Sequence, residues 1–134
     1  MAMLVGVRIL VVEDEALVAL MVEDALRDAG AEVLCAYTVE EALRLLGGEE
    51  GAGLDAAVLD LSLAGEGAAP VAEALRKRGI PFLIATGYGD AQQNAAGGAT
   101  AGAPVLCKPF EPEALVATIA TLVAPDRQPL RTGT

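Results

Sequence analysis

The feature that most constrains this chain is a fivefold alternation of short apolar runs with segments of helical periodicity. Val7-Arg8-Ile9-Leu10-Val11-Val12 is the first run. Successive apolar positions leave no solvent face, which suits a strand covered on both sides of a parallel sheet. The same reading gives strands at Ala31 to Ala36, Ala56-Ala57-Val58-Leu59-Asp60, Ile80 to Ala85 and Val105-Leu106-Cys107. Helical stretches separate them. The first follows Glu13-Asp14-Glu15 and ends at Gly30, with Val18, Met21, Val22, Ala25 and Ala29 forming one stripe. Thr38 caps a second that runs to Leu46, and a loop covers 47–53. A third passes through Val71, Ala74 and Leu75 to Gly79. The last opens near Pro112 and carries Leu115, Ile119 and Leu122 on one side. Strand–helix alternation requires right-handed crossovers, so the fold class is α/β with a doubly wound parallel sheet. One domain is expected over 1–124, followed by a polar, disordered tail over 125–134.

Composition narrows the function classes. The net charge is −10, from 9 basic and 19 acidic residues, and no basic stripe appears. Such a surface repels phosphate backbones, so direct nucleic acid binding is not expected. The chain has no histidine, which excludes Ser-His-Asp triads, Cys-His pairs and zinc sites that need imidazole. Hydrophobic residues make up 54% but aromatics only 3%, so Ala, Val and Leu must build the core. No apolar run approaches the roughly 18 residues of a membrane span, and the start lacks a signal-peptide layout. A cytoplasmic protein without a membrane partner is expected. Cys35 and Cys107 sit in apolar stretches and read as buried thiols in a reducing compartment.

A sheet of this kind binds ligands beyond the C-terminal ends of its strands. Polar residues are concentrated there. Glu13 and Asp14 follow the first strand, Asp60 ends the third, Thr86 follows the fourth and Lys108 follows the fifth. Singly, each has a structural use: an acid or Thr86 can cap a helix, and Lys108 can pair with a carboxylate. Jointly they make a site. Three acids held together repel one another, and a Mg²⁺ or an ammonium offsets that. Mg²⁺ prefers one or two carboxylates with waters and phosphate oxygens.

The run Ile9-Leu10-Val11-Val12-Glu13-Asp14-Glu15, then Val58-Leu59-Asp60-Leu61, Ala85-Thr86-Gly87 and Cys107-Lys108-Pro109-Phe110, resembles the receiver domain of bacterial two-component response regulators. The resemblance covers 7–123. It implies a flavodoxin-like (βα)5 fold with strand order 2-1-3-4-5. It also implies a single-domain response regulator that accepts a phosphoryl group on Asp60 from a sensor histidine kinase, with Mg²⁺ as cofactor. In that scheme Asp14, Asp60 and the backbone carbonyl of Ser62 ligate Mg²⁺, and Glu13 acts through a water. Thr86 and Lys108 hold phosphoryl oxygens, and Pro109 follows a cis bond. Signalling would run through a downstream protein or a phosphotransferase, with no separate substrate turned over. The strand order would put Cys35 and Cys107 on opposite edges, four spacings of about 4.8 Å apart. That distance, about 19 Å, is beyond the roughly 7 Å Cα separation a disulfide spans.

Two departures stand out. Many receivers carry an aromatic three residues before the Lys, where this chain has Val105. Pro81-Phe82-Leu83-Ile84-Ala85-Thr86-Gly87-Tyr88-Gly89 is similar to the single-domain subgroup often called FATGUY, which tends to lack that aromatic and to be associated with histidine kinases of the HWE or a related type. In such a chain Tyr88 would either gate the site or be an exposed loop ring. Gly89, Gly97, Gly98 and Gly102 each cost a helix about 1 kcal/mol against Ala. The fourth helix is therefore expected to be short or mobile, and either phosphorylation orders it or the segment is a permanently loose loop. Aspartyl phosphohydrolases need an acid two residues past the nucleophile, where this chain has Ser62, and no Gly-rich phosphate loop follows the first strand.

Overall fold

Both faces of the first strand are covered, which explains why it is apolar at successive positions. In the computed structural model, which describes residues 3–60, 68–87 and 102–127, β1 (Arg8–Val12) sends Ile9 and Val11 to one side. Leu10 and Val12 go to the other. The chain continues through α1 (Ala16–Asp28), β2 (Glu32–Ala36), α2 (Val39–Gly47), a 3₁₀ turn (Glu49–Gly51) and β3 (Ala56–Asp60). It then forms α3 (Ala69–Lys77), β4 (Phe82–Thr86), β5 (Val105–Cys107) and α4 (Pro112–Arg127). The five strands are parallel in the order β2-β1-β3-β4-β5. This is the doubly wound, flavodoxin-like order.

The core divides along the sheet. On one face Leu10, Val12, Leu59 and Ile84 meet Ala42 and Leu46 of α2 and Val71 and Leu75 of α3. On the other, Ile9, Val11, Val58 and Leu83 meet Val22 and Leu26 of α1 and Leu115 and Ile119 of α4. Helix ends are tied locally. The Thr38 hydroxyl accepts from Glu41 N–H at 3.0 Å, and the Glu41 carboxylate accepts from Tyr37 N–H at 2.8 Å. Gly30, at φ +101°, turns the chain out of α1 so that the Ala31 and Gly30 N–H groups bond the Leu26 and Arg27 carbonyls.

Several expectations shift. β4 begins at Phe82 rather than Ile80 and takes in Thr86. The exposed side of α1 carries Leu17, Leu20 and Met21, and Met21 is 63% exposed although it was expected in the buried stripe. Residues 17–22 are apolar at every position, so periodicity alone cannot fix which stripe meets the sheet. α4 extends to Arg127, into the segment read as tail. Cys107 is exposed and Cys35 half-buried, both as free thiols, rather than fully buried. Among the described residues, Cys107 ends a three-residue edge strand with a neighbour on one side only. The cysteines do lie on opposite edges of the sheet. The glycine-rich segment expected to hold a short fourth helix falls largely outside the described residues.

Candidate functional site

Strand register decides where the polar residues meet. Val12 pairs with Ala36 and Leu59, Asp60 with Ala85, and Thr86 with Cys107, so the strands finish together. Two backbone bonds carry the chain past those ends in fixed positions. Glu13 N–H donates to the Ala36 carbonyl at 3.0 Å, and Lys108 N–H donates to the Thr86 carbonyl at 2.8 Å. Glu13, Asp14, Asp60, Thr86 and Lys108 are thereby placed at one edge.

Among the described residues, Glu13, Asp60 and Thr86 are the buried polar or charged side chains, at 3%, 2% and 0% exposure. A buried polar group costs free energy unless it is paired, so their common location marks the site more sharply than any one of them. Lys108 supplies the pairing. Its Nζ lies 2.9 Å from Glu13 Oε1 and 3.3 Å from Asp60 Oδ1. The second Glu13 oxygen accepts from Glu15 N–H at 3.2 Å. The Thr86 hydroxyl donates to the Gly87 carbonyl at 3.4 Å, a long, weak bond that another acceptor can replace. The Lys108–Pro109 peptide is cis, as expected.

The electrostatics follow from two buried acids sharing one ammonium. Burial pushes the Glu13 carboxyl up to about 7; its hydrogen bond with Lys108 opposes this, and Asp60 adds to it through a side-chain hydrogen bond and through repulsion. Burial alone would lower the Lys108 ammonium, but its bonds and charge contacts with Glu13 and Asp60 outweigh that and raise it. Carboxylate oxygens of Glu13, Asp14 and Asp60 all lie within 4.8 Å of one another, with Asp14 the most open. Three convergent hard oxygen donors carrying more charge than one lysine offsets suit a Mg²⁺-sized cation.

Of the expected site residues, Glu13, Asp14, Asp60, Thr86 and Lys108 are brought together at this edge. Ser62 and Tyr88 lie outside the described residues. Val105 is half-buried, pairs with Ile84, and packs against the α2/α3 side of the core. Sequence reading did not find the double engagement of Glu13 by Lys108 and by the Glu15 amide. The acid at position 13 is visible in the chain, but its partners are set by a contact spanning 95 positions.

This edge, with its acids, lysine and buried threonine, is the arrangement of a phosphoacceptor module. The family model for the response regulator receiver domain matches residues 9–120, and the chain belongs to that family. A putative response regulator from Chloroflexus aurantiacus is 35% identical, with a TM-score of 0.75 over 87% of this chain and 97% of its own. A response regulator receiver protein from Burkholderia phymatum is 25% identical, with a TM-score of 0.78 over 89% and 96%. A receiver domain protein from Clostridium thermocellum, at 24% identity, shares the fold with a TM-score of 0.79 over 90% and 97%. No curated protein matches the chain. Receiver domains are the phosphoaccepting signalling modules of two-component systems. Among the described residues no helix is long and apolar enough to cross a membrane.

Proposed function

We propose that Asp60 is the phosphoacceptor and that the site works with Mg²⁺. The observation that carries this is the burial of Asp60 at the end of β3 with Lys108 Nζ 3.3 Å from its Oδ1 and the Asp14 and Glu13 carboxylates alongside. An Oδ of Asp60 forms the new O–P bond as the N–P bond of a phosphohistidine donor breaks. Charge spreads over the equatorial phosphoryl oxygens during transfer, so the site's task is positioning and charge stabilisation. Lys108 meets one of these oxygens, and the Thr86 hydroxyl turns from the Gly87 carbonyl to another. Asp14, Asp60 and the Ser62 carbonyl would hold the metal, which supplies further charge neutralisation when bound.

The donor in this reading is a sensor histidine kinase, of HWE type if the FATGUY likeness extends to partners. The exposed Leu17, Leu20 and Met21 on α1 offer an apolar surface beside the site for such a partner. Output would pass to a downstream protein or a phosphotransferase, with Tyr88 and the segment around Val105 responding to the phosphoryl group. Incubation with acetyl phosphate and Mg²⁺, followed by intact-mass measurement, tests the reading. The parent chain should gain one phosphoryl group and Asp60→Asn none. An equal gain in the variant would defeat the assignment.

A further inference from the structure

We propose that the N-terminal end of the β4–β5 pair is a docking site for a short, extended acidic segment of a partner protein, one that carries an apolar anchor residue. The site lies at the edge of the sheet opposite Asp60, so it holds whether or not Asp60 is the phosphoacceptor. It arises from a mismatch of strand lengths. β4 starts at Phe82, whereas β5 starts at Val105, opposite Ile84. Ile84 N–H donates to the Pro104 carbonyl at 2.8 Å, and the Thr86 carbonyl accepts from Lys108 N–H at 2.8 Å. Ile84 and Thr86 therefore turn their backbone groups toward β5, and strand alternation turns those of Phe82 the same way. Among the described residues no strand pairs with Phe82 on that side. A cavity of about 560 Å³ opens there, lined with apolar surface by Ile80, Pro81, Phe82, Pro104 and Leu122. Its volume is that of a ligand pocket and takes a large apolar side chain.

Charge selects the occupant. Arg76, in the last turn of α3, also lines the cavity, with its guanidinium 5.3 Å from the centre of the Phe82 ring. Lys77 and Arg78 follow it. All three are exposed, and they make the one run of consecutive basic residues in a chain of net charge −10. Among the described residues, Lys77 and Arg78 form no ion pair. Part of this charge offsets the C-terminal dipole of α3, but the dipole accounts for neither the cavity nor the open strand edge beside it. An extended acidic peptide meets all three features. Its backbone pairs with Phe82, its apolar side chain fills the cavity, and its carboxylates face Arg76, Lys77 and Arg78.

A fluorescent peptide of alternating Asp and Glu around a central Phe, titrated with the intact chain and followed by anisotropy, tests this. The parent should bind it with a Kd of about 10–100 μM. The paired change Lys77→Glu and Arg78→Glu should weaken binding by about tenfold or more, and added salt should weaken it in the parent. Ala103→Trp, which fills the cavity from its wall, should weaken binding by about tenfold, as should Ser in place of the peptide's Phe. In ¹H–¹⁵N spectra the peptide should shift the amide peaks of Ile80, Phe82 and Gly102, moving that of Phe82 downfield as it becomes a donor. Far-ultraviolet circular dichroism identical to the parent's controls for folding of each variant.

Binding indifferent both to Ala103→Trp and to loss of the peptide's Phe would overturn the proposal, since it would mean diffuse charge attraction without a site. So would an absence of binding at millimolar peptide, or peak shifts confined to α1 and 108–110. Concentration-dependent self-association of the parent, abolished by Lys77→Glu and Arg78→Glu, would give this edge to a second copy of the chain and overturn its assignment to a partner's segment.

Discussion

Glu13 should make the metal-free protein less stable as pH rises through neutrality. Its carboxyl and that of Asp60 are buried around the single ammonium of Lys108, and burial raises Glu13 from 4.5 to about 7. In the unfolded chain Glu13 is solvated and ionises near its ordinary value. Between these two values the folded protein holds a proton that the unfolded chain has released, so raising the pH favours unfolding. At about 1.4 kcal/mol per pH unit, the interval from 4.5 to about 7 corresponds to about 3 kcal/mol. That contribution is complete below 4.5 and is lost as the pH rises through 7. Against a total of about 5–15 kcal/mol for a domain, the change is readily measured. Urea denaturation followed by far-ultraviolet circular dichroism gives stability at each pH, in chelator and at constant ionic strength. From pH 5 to 8 the parent should lose about 2–3 kcal/mol more than Glu13→Gln, whose side chain does not titrate. Parallel pH profiles for the two proteins would refute the reasoning.

Mg²⁺ should bind more tightly at pH 8 than at pH 6, because the cation and the last proton compete for one acidic cluster; titration calorimetry in buffers of different ionisation enthalpy would detect the proton released. At about a hundred times its dissociation constant, Mg²⁺ should stabilise the fold by about 2.7 kcal/mol in urea denaturation. Lys108→Ala removes the shared cation and should cost about 3–5 kcal/mol at pH 8, with a smaller loss at pH 6, where Glu13 is neutral. Leu59→Ala should cost about 2–5 kcal/mol, because Leu59 is fully buried in β3 beside Asp60; a urea midpoint equal to the parent's would show that this layer of the core repacks freely.

The sheet was legible because each strand is short and apolar at nearly every position. The site was legible because its polar residues fall where those strands stop. Asp60 ends a strand whose other members are Ala, Val and Leu, so its chemistry is conspicuous in the chain itself. The α1 register was not legible, since Leu17 through Val22 offer an apolar stripe in every direction and packing against β1, β2 and α4 selects Ala19, Val22 and Leu26. Cys107 was misplaced for a related reason. An apolar neighbourhood in sequence says nothing about whether a strand is central, and β5 lies at the edge. The anchoring of Lys108 was also hidden. Lysine, acid and threonine can be assigned to one edge from topology, but which oxygen the ammonium prefers depends on side-chain reach across 95 positions.

In the proposed function the phosphoryl group is carried by Asp60. Borohydride reduction tests this most directly, because it converts an aspartyl phosphate to homoserine and leaves a mark that peptide mass spectrometry can locate. After incubation with acetyl phosphate and Mg²⁺, homoserine is expected at position 60, with Asp14 unmodified. Homoserine at position 14, or at any acid other than Asp60, would contradict it.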